Sequence, residues 1–348
     1  MPVSDPKQSS RLSPPASGER PTLKTIAFLT GLGVTTVSRA LKDADDIGAD
    51  TKERVRLVAK QLGYRPNRAG VRLRTGKTNV IALVLGMDAE IMSMTGQMVY
   101  GINETLADTQ YHLVLTPHMH STDPMSPVRY IVETGSADGI IISRTEPDDA
   151  RVRFLIEHGI PFATHGRTDM GIHHPFHDFD NEFFAYNAVS KLVAKGRRKI
   201  ALLPPPEHLM YGQHSRAGFQ RGLKDFGPAH AQVLPITTED NTMVQKQAVE
   251  ALMRSADAPD GLICCSGSSA IAAAAGIDAA GSRIGVDIDM ATKEAANVLK
   301  WFHPEIMSMN ENFALAGREL ARAVMSSIGG ADAQTLQSIS RSDWSDKA

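Results

Sequence analysis

Arg39 lies in the run Val34-Thr35-Thr36-Val37-Ser38-Arg39 and is flanked by side chains of the size that a DNA groove admits. Arginine can bond guanine bidentately, threonine and valine can touch a thymine methyl, and serine can take a phosphate. If Val37, Ala40 and Leu41 form the buried stripe of a helix, then Val34, Thr35, Ser38 and Arg39 point outward, with Thr36 beside them. Thr22, Leu23, Lys24 and Lys42 flank this run and add polar and cationic reach. A second group of polar residues follows short apolar runs farther along the chain: Asp88, His165, Arg167, Asp180, Asn181, Tyr211, Arg216, Ser266, Asp287 and Asp289. Carboxylates, amides and guanidinium groups of this kind suit a ligand rich in hydroxyls, because each hydroxyl both donates and accepts. Phe179 or Tyr211 could stack on a sugar ring.

The elements that must carry the first group are two short helices. The stretch TLKTIAFLTGLGVTTVSRAL (22–41) places Gly31 where a tight turn needs a positive φ, which is the helix-turn-helix pattern. An ordinary helical hairpin in a core has the same periodicity. A third helix over 49–62, with Val55, Val58, Ala59 and Leu62 at helical spacing, should complete a small core. Three helices in so short a length bury little surface, so this unit should be only marginally stable alone.

The second group needs a different scaffold. From Val80 onward, apolar runs alternate with helical stretches: VIALVL, HLVLTP, DGIIIS, PFATHG, KIALLP, QVLPI, GLICC and RIGVDI as strands. Helices are expected over 95–109, 129–134, 149–158, 181–195, 216–226 and 242–255, with a small-residue helix after GLICC. Short buried strands between helices imply parallel sheets covered on both faces. So many strands imply two α/β lobes. Ligands of such sheets sit beyond the carboxyl ends of the strands.

Charge divides the chain in the same place. Residues 20–79 hold 13 Lys and Arg against 5 Asp and Glu, whereas 80–348 hold 22 against 32, within a net charge of -2. A basic module on an acidic body points to one polyanion-binding end. Cys264 and Cys265, the only cysteines, are adjacent and fit neither a disulfide framework nor a zinc pattern. His165, His173, His174 and His177 lack a partner pattern at helical spacing and read as loop histidines, so no metal or cofactor is expected. Neither an export signal nor a membrane span is apparent, and a cytoplasmic location fits best.

The runs TLKTIAFLTGLGVTTVSRAL, LGYRPNRAGVRLRTGKT (62–78) and VIALVL together resemble the lactose-repressor (LacI/GalR) family of bacterial transcription regulators. The resemblance extends from about residue 22 to 330, tight over the first 60 residues and looser after. It implies a tail over 1–20, a three-helix headpiece over 21–65, a hinge helix and linker over 66–78, a two-lobed ligand-binding and dimerising body resembling periplasmic binding proteins over 79–330, and a C-terminal tail over 331–348. It further implies a homodimer on a palindromic operator, a hinge helix entering the minor groove with Leu73 as its wedge, and Arg68, Arg72, Arg74 and Lys77 on phosphates. The effector would be a small sugar, with Asp287, the pair Asp180-Asn181 and Arg167 at family ligand positions.

Five positions depart from the family pattern. Gly33 replaces the usual Ser cap, and Gly70 replaces an Ala in the hinge. Ser215 stands where an Arg is usual, and Ser266-Gly267 where Asn-Asp is usual. Gly70 should make the hinge reluctant to fold without DNA, since glycine costs roughly 1 kcal/mol against alanine in a helix. The HGR and VDID motifs look like those of regulators of α-glucoside or related sugar uptake. Two other readings stand beside a regulator. One is a sugar-active α/β enzyme, although no Walker loop or Gly-x-Ser-x-Gly elbow follows a strand. The other is a plain sugar-binding protein, which the basic headpiece opposes.

Overall fold

A computed structural model describes residues 20–64, 76–86, 92–118 and 123–344. The chain forms two compact units, Met1–Thr78 and Asn79–Ala348. Asp88, the tail over 1–19, and hinge residues Arg68, Gly70, Arg72, Leu73 and Arg74 lie outside the described residues.

Among the described residues the first unit holds three helices: α1 (Leu23–Thr30), α2 (Val34–Leu41) and α3 (Ala49–Gln61). Thr22 caps α1 in a reciprocal capping box with Thr25, satisfying donors that the helix start leaves free. Gly31 ends α1 at φ 67°, a left-handed conformation that costs a residue with a Cβ. Gly33 precedes α2 without any side-chain cap. Ile26, Ala27, Val37, Ala40, Val55 and Ala59 form the buried core, so all three helices depend on one cluster.

Among the described residues the second unit has eleven strands in two all-parallel sheets. The first sheet contains β1 (Val80–Gly86), β2 (His112–His118), β3 (Gly139–Ser143), β4 (Phe162–His165), β5 (Phe176–Phe179) and β11 (Gln337–Ser340), in the order β11-β5-β4-β3-β1-β2. The second contains β6 (Lys199–Leu203), β7 (His230–Val233), β8 (Gly261–Cys264), β9 (Asp289–Glu294) and β10 (Met307–Asn310), in the order β10-β9-β8-β6-β7. Residues 81–86, 139–142 and 261–264 are buried throughout, as strands covered by helices on both faces must be.

The chain passes between lobes three times: after β5, after β10 and after β11. The helix Asn181–Ala194 leaves the first crossing and packs into the second lobe through Phe184, Ala188 and Leu192. The helix Phe313–Ile328 returns to the first lobe, burying Leu320, Ala321 and Val324 there.

Three sequence expectations need correction. The run RIGVDI is not a strand: Arg283 to Ile288 forms a tight loop with Gly285 at φ 82°, burying only Ile284 and Ile288 of its apolar residues. The strand begins afterwards, at Asp289. The segment after Gly330 is not a tail, because β11 pairs in parallel with β5 and Trp344 bridges Met309 of the other lobe. The helix expected from Arg216 begins at Met210, which makes Tyr211 a helical residue.

Candidate nucleic-acid interface and ligand cleft

On α2, Thr35 and Arg39 are exposed, whereas Thr36 and Ser38 are half-buried. Val34 departs from the outward placement expected of it: it packs partly against the headpiece core. Arg39 is ion-paired with Asp46, and both side chains are about half exposed, at 52% and 50%. A pair so placed adds little to stability, and a competing acceptor can displace Asp46 from the guanidinium. Lys24, Thr22 and Lys42 are exposed, while Leu23 is partly buried against the core.

In the second unit a cleft opens beyond the carboxyl ends of both sheets. The first lobe contributes Arg144 from the end of β3, His165 from β4 and Asp178 from β5. The second contributes Tyr211, Glu239, Ser266, Lys293 and Glu294, and the crossings add Asn181 and Glu311. Arg144 and Glu239 form an ion pair from opposite lobes, and the Tyr211 hydroxyl donates to the same Glu239 oxygen at 2.8 Å. The Lys293 ammonium donates to Asn181 Oδ1 at 2.7 Å and to Glu311 Oε2 at 2.6 Å. Arg167 Nε donates to Asp178 Oδ2 at 2.8 Å. The cleft is thus lined by donors and acceptors held in place by one another.

Asn181 and Tyr211 line the cleft, and Arg167 reaches it through Asp178. Asp180 does not line it; it caps the following helix, accepting from Phe183 N at 2.9 Å, and bonds Arg341 at 2.8 Å. Arg216 opens instead onto a groove with Glu207 and Thr237, its buried Nε without a hydrogen-bond partner among the described residues. Asp287 is misplaced most: it precedes β9, at the end of that strand away from the cleft, and accepts from Arg283 N at 2.9 Å. Asp289, the first residue of β9, is held by Lys195 and Arg197 at 2.7 and 2.6 Å. Sequence reading missed Arg144, Asp178, Glu239, Lys293, Glu294 and Glu311. The signal for Lys293 and Glu294 was weak, because β9 reads DMATKE and carries no apolar run. Among the described residues, no group of three His, Cys, Asp or Glu is placed to hold a metal ion.

Burial dominates the titration of this region. Burial, with the nearby Lys293 ammonium, holds His165 down to about 4. Burial also brings His177 and His214 to about 4, aided by His165 and Arg167 respectively. Asp178 goes the other way, pushed up to about 6 by burial against the pull of Arg167. The unfolded histidines take protons near the ordinary 6.5, and the folded ones resist until about 4, so their contribution is lost as pH falls through that window. Asp178 offsets one of the three, since its folded carboxyl takes a proton more readily than the unfolded one. Unfolding near pH 5 should therefore take up protons on balance, and the melting temperature should drop between pH 7 and pH 5. A thermal-unfolding series that is flat or rises toward pH 5 contradicts this assignment.

Two family descriptions match the chain: "Bacterial regulatory proteins, lacI family" over residues 22–67, and "Periplasmic binding proteins and sugar binding domain of LacI family" over residues 78–343. The HTH-type transcriptional regulator AglR of Rhizobium meliloti (strain 1021) is 32% identical over 316 residues, covering 88% of this chain and 87% of that protein. Among solved structures, the transcriptional regulator CelR–cellobiose complex aligns with a TM-score of 0.66 at 24% identity, covering 93% of this chain and 98% of that one. The lac repressor dimer bound to operator and the anti-inducer ONPF aligns at 0.79 and 20% identity, covering 90% and 94%. These two likenesses are likenesses of fold.

Proposed function

The chain belongs to the LacI family of bacterial regulatory proteins, and from that premise we propose a homodimeric repressor of carbohydrate uptake or catabolism genes, released or engaged by a small sugar in the cleft. As a member it is a DNA-binding transcription regulator with a sugar-binding body, not an enzyme. A regulator that meets chromosomal DNA acts in the cytoplasm, and no helix among the described residues is long and apolar enough to cross a membrane.

One observation carries the reading: a cleft of mutually fixed carboxylates, amides and cations lies beyond the strand ends of a body joined to a basic helix-turn-helix. Thr35 and Arg39 read base edges in this proposal. Lys24, Lys42, Arg68, Arg72, Arg74 and Lys77 meet phosphates, and Leu73 wedges the minor groove. Arg167, Asn181 and Tyr211 hold the sugar together with Arg144, Glu239 and Lys293. The CelR–cellobiose fold makes a disaccharide a reasonable first probe.

One headpiece reads one half-site, so a palindromic operator requires two. Exposed apolar side chains are available for pairing on both lobes: Tyr100, Val114 and Leu115 on the first, and Ile271, Trp301 and Phe302 on the second. Trp301 and Phe302 are each 77% exposed, more than a monomer ordinarily leaves in water.

The test is selection of operator-like duplexes from a randomised pool by the full-length protein, followed by anisotropy titrations with and without neutral disaccharides. A palindromic consensus should emerge, with affinity that falls steeply with salt and shifts when sugar is added. Binding that is blind to sequence would sink the regulator reading. Sequence-specific binding that no sugar alters would sink the effector reading alone.

A further inference from the structure

Two elements of the second lobe serve the cleft and the groove of Arg216 at once. The helix Met210–Phe226 gives Tyr211 to the cleft and Arg216 to the groove. At about 100° per helical residue the two side chains leave the axis roughly 140° apart, so they face different spaces. The segment after β7 does the same: Thr237 lines the groove, while Thr238 and Glu239 line the cleft. Thr237 is fixed in a turn, its backbone N–H and its hydroxyl both donating to Asp240 Oδ2, at 2.7 and 2.9 Å.

The groove holds a cation that the fold leaves unanswered. Among the described residues no carboxylate pairs with Arg216, and its buried Nε has no acceptor. Burial pushes the nearby Cys265 thiol up to about 11, so it stays neutral and supplies no counter-charge. A buried polar atom without a partner is rare and costly. Arg144 and Arg167, by contrast, are each matched by a carboxylate. Val233, Leu234 and Pro235 give the groove an apolar wall, and Gln220 and Thr237 add polar groups. Glu207 lines the same groove, exposed to solvent and not bonded to Arg216.

We propose that this groove is a second effector site, which takes a small monocarboxylate with an apolar stem and is coupled to the cleft. The carboxylate meets the Arg216 guanidinium, whose planar fork matches it, and the stem lies along Val233, Leu234 and Pro235. Phosphate is disfavoured, because a dianion finds one cation here and the like charge of Glu207. The coupling alone rests on the sugar-binding reading above. A ligand held between the helix and the segment after β7 draws together the elements that carry Tyr211 and Glu239. Those two are hydrogen-bonded at 2.8 Å, and Glu239 pairs with Arg144 of the first lobe. With this side of the cleft ordered in advance, less remains to be ordered when sugar arrives, so each ligand favours the other.

The experiment titrates the full-length protein with isovalerate, uncharged isovaleramide and inorganic phosphate by ligand-observed NMR. Calorimetry with cellobiose, maltose and melibiose follows, with and without saturating isovalerate. Isovalerate should bind, and the amide and phosphate about tenfold more weakly or not at all. Arg216→Met should weaken isovalerate about tenfold or more, whereas Glu207→Gln, at an exposed position, should tighten it about threefold. A merely structural arginine would not produce that gain, which decides the matter alone if Arg216→Met fails to fold. Disaccharide affinity should rise roughly fivefold or more with isovalerate present, and not in Arg216→Met. No binding of isovalerate, or binding that survives Arg216→Met, overturns the site. Phosphate that binds as tightly as isovalerate overturns the carboxylate assignment. Isovalerate binding that leaves disaccharide affinity unmoved overturns the coupling. Silence from all three sugars without isovalerate overturns the sugar-binding reading and leaves the carboxylate site standing.

Discussion

Arg39→Ala should abolish operator-specific binding while leaving effector affinity unchanged. The side chain is half exposed and its sole described ionic partner is the equally exposed Asp46, so truncation should move stability by less than about 0.5 kcal/mol. In the proposed complex the guanidinium meets a base edge, where a good bidentate pair is worth about 1–3 kcal/mol of discrimination. A dimer loses two such pairs, or roughly 2–6 kcal/mol, which corresponds to about 30-fold to 10⁴-fold in affinity for the operator over scrambled DNA. Anisotropy against both duplexes and calorimetry with the effector read the two outcomes separately. Equal loss of DNA and sugar binding would refute the division of labour between the units.

Lys293→Met should cost the body about 3–5 kcal/mol and remove the response to sugar. Lys293 is 6% exposed, and its ammonium is shared between Asn181 and Glu311. Without it, Glu311 remains a buried charge with its cation gone, a far larger penalty than the pair itself is worth. Urea unfolding of the body should show the loss. The double change Lys293→Met with Glu311→Leu should recover most of the stability, because a well-packed apolar pair commonly matches a buried ion pair. It should not recover the response to sugar. If Lys293→Met alone unfolds within about 1 kcal/mol of the parent, the ammonium does not anchor this crossing.

The two halves of the molecule were unequally legible. The headpiece is written in local terms: Gly31 for the turn, Val37 and Ala40 for the inner face, Val55 and Ala59 for the third helix. Each follows from spacing within a few residues, and α1 to α3 lie where the sequence puts them. The cleft is assembled from groups far apart in the chain, and apolar runs are a poor guide to them. RIGVDI looks like the last parallel strand and so promotes Asp287, yet the strand that reaches the cleft is the polar DMATKE beside it. Its Thr292, Lys293 and Glu294 are buried because other polar groups hold them, a condition no local pattern reveals. Asp180-Asn181 shows the limit of carrying a motif over whole: the pair is at the crossing, but one residue caps a helix and its neighbour reaches the ligand space.

The return of the chain to the first lobe also orders events on the ribosome. That lobe's edge strand, β11, and the helix Phe313–Ile328 follow the whole second lobe in the chain, so the first lobe cannot close until the second has been translated. The DNA-binding helices emerge before either lobe and rely only on their own core. At about 5–20 residues per second, a nascent headpiece precedes its sugar-responsive body by roughly 15–60 s. Throughout that interval each new copy carries its DNA-reading helices without the sugar-responsive lobes that control them.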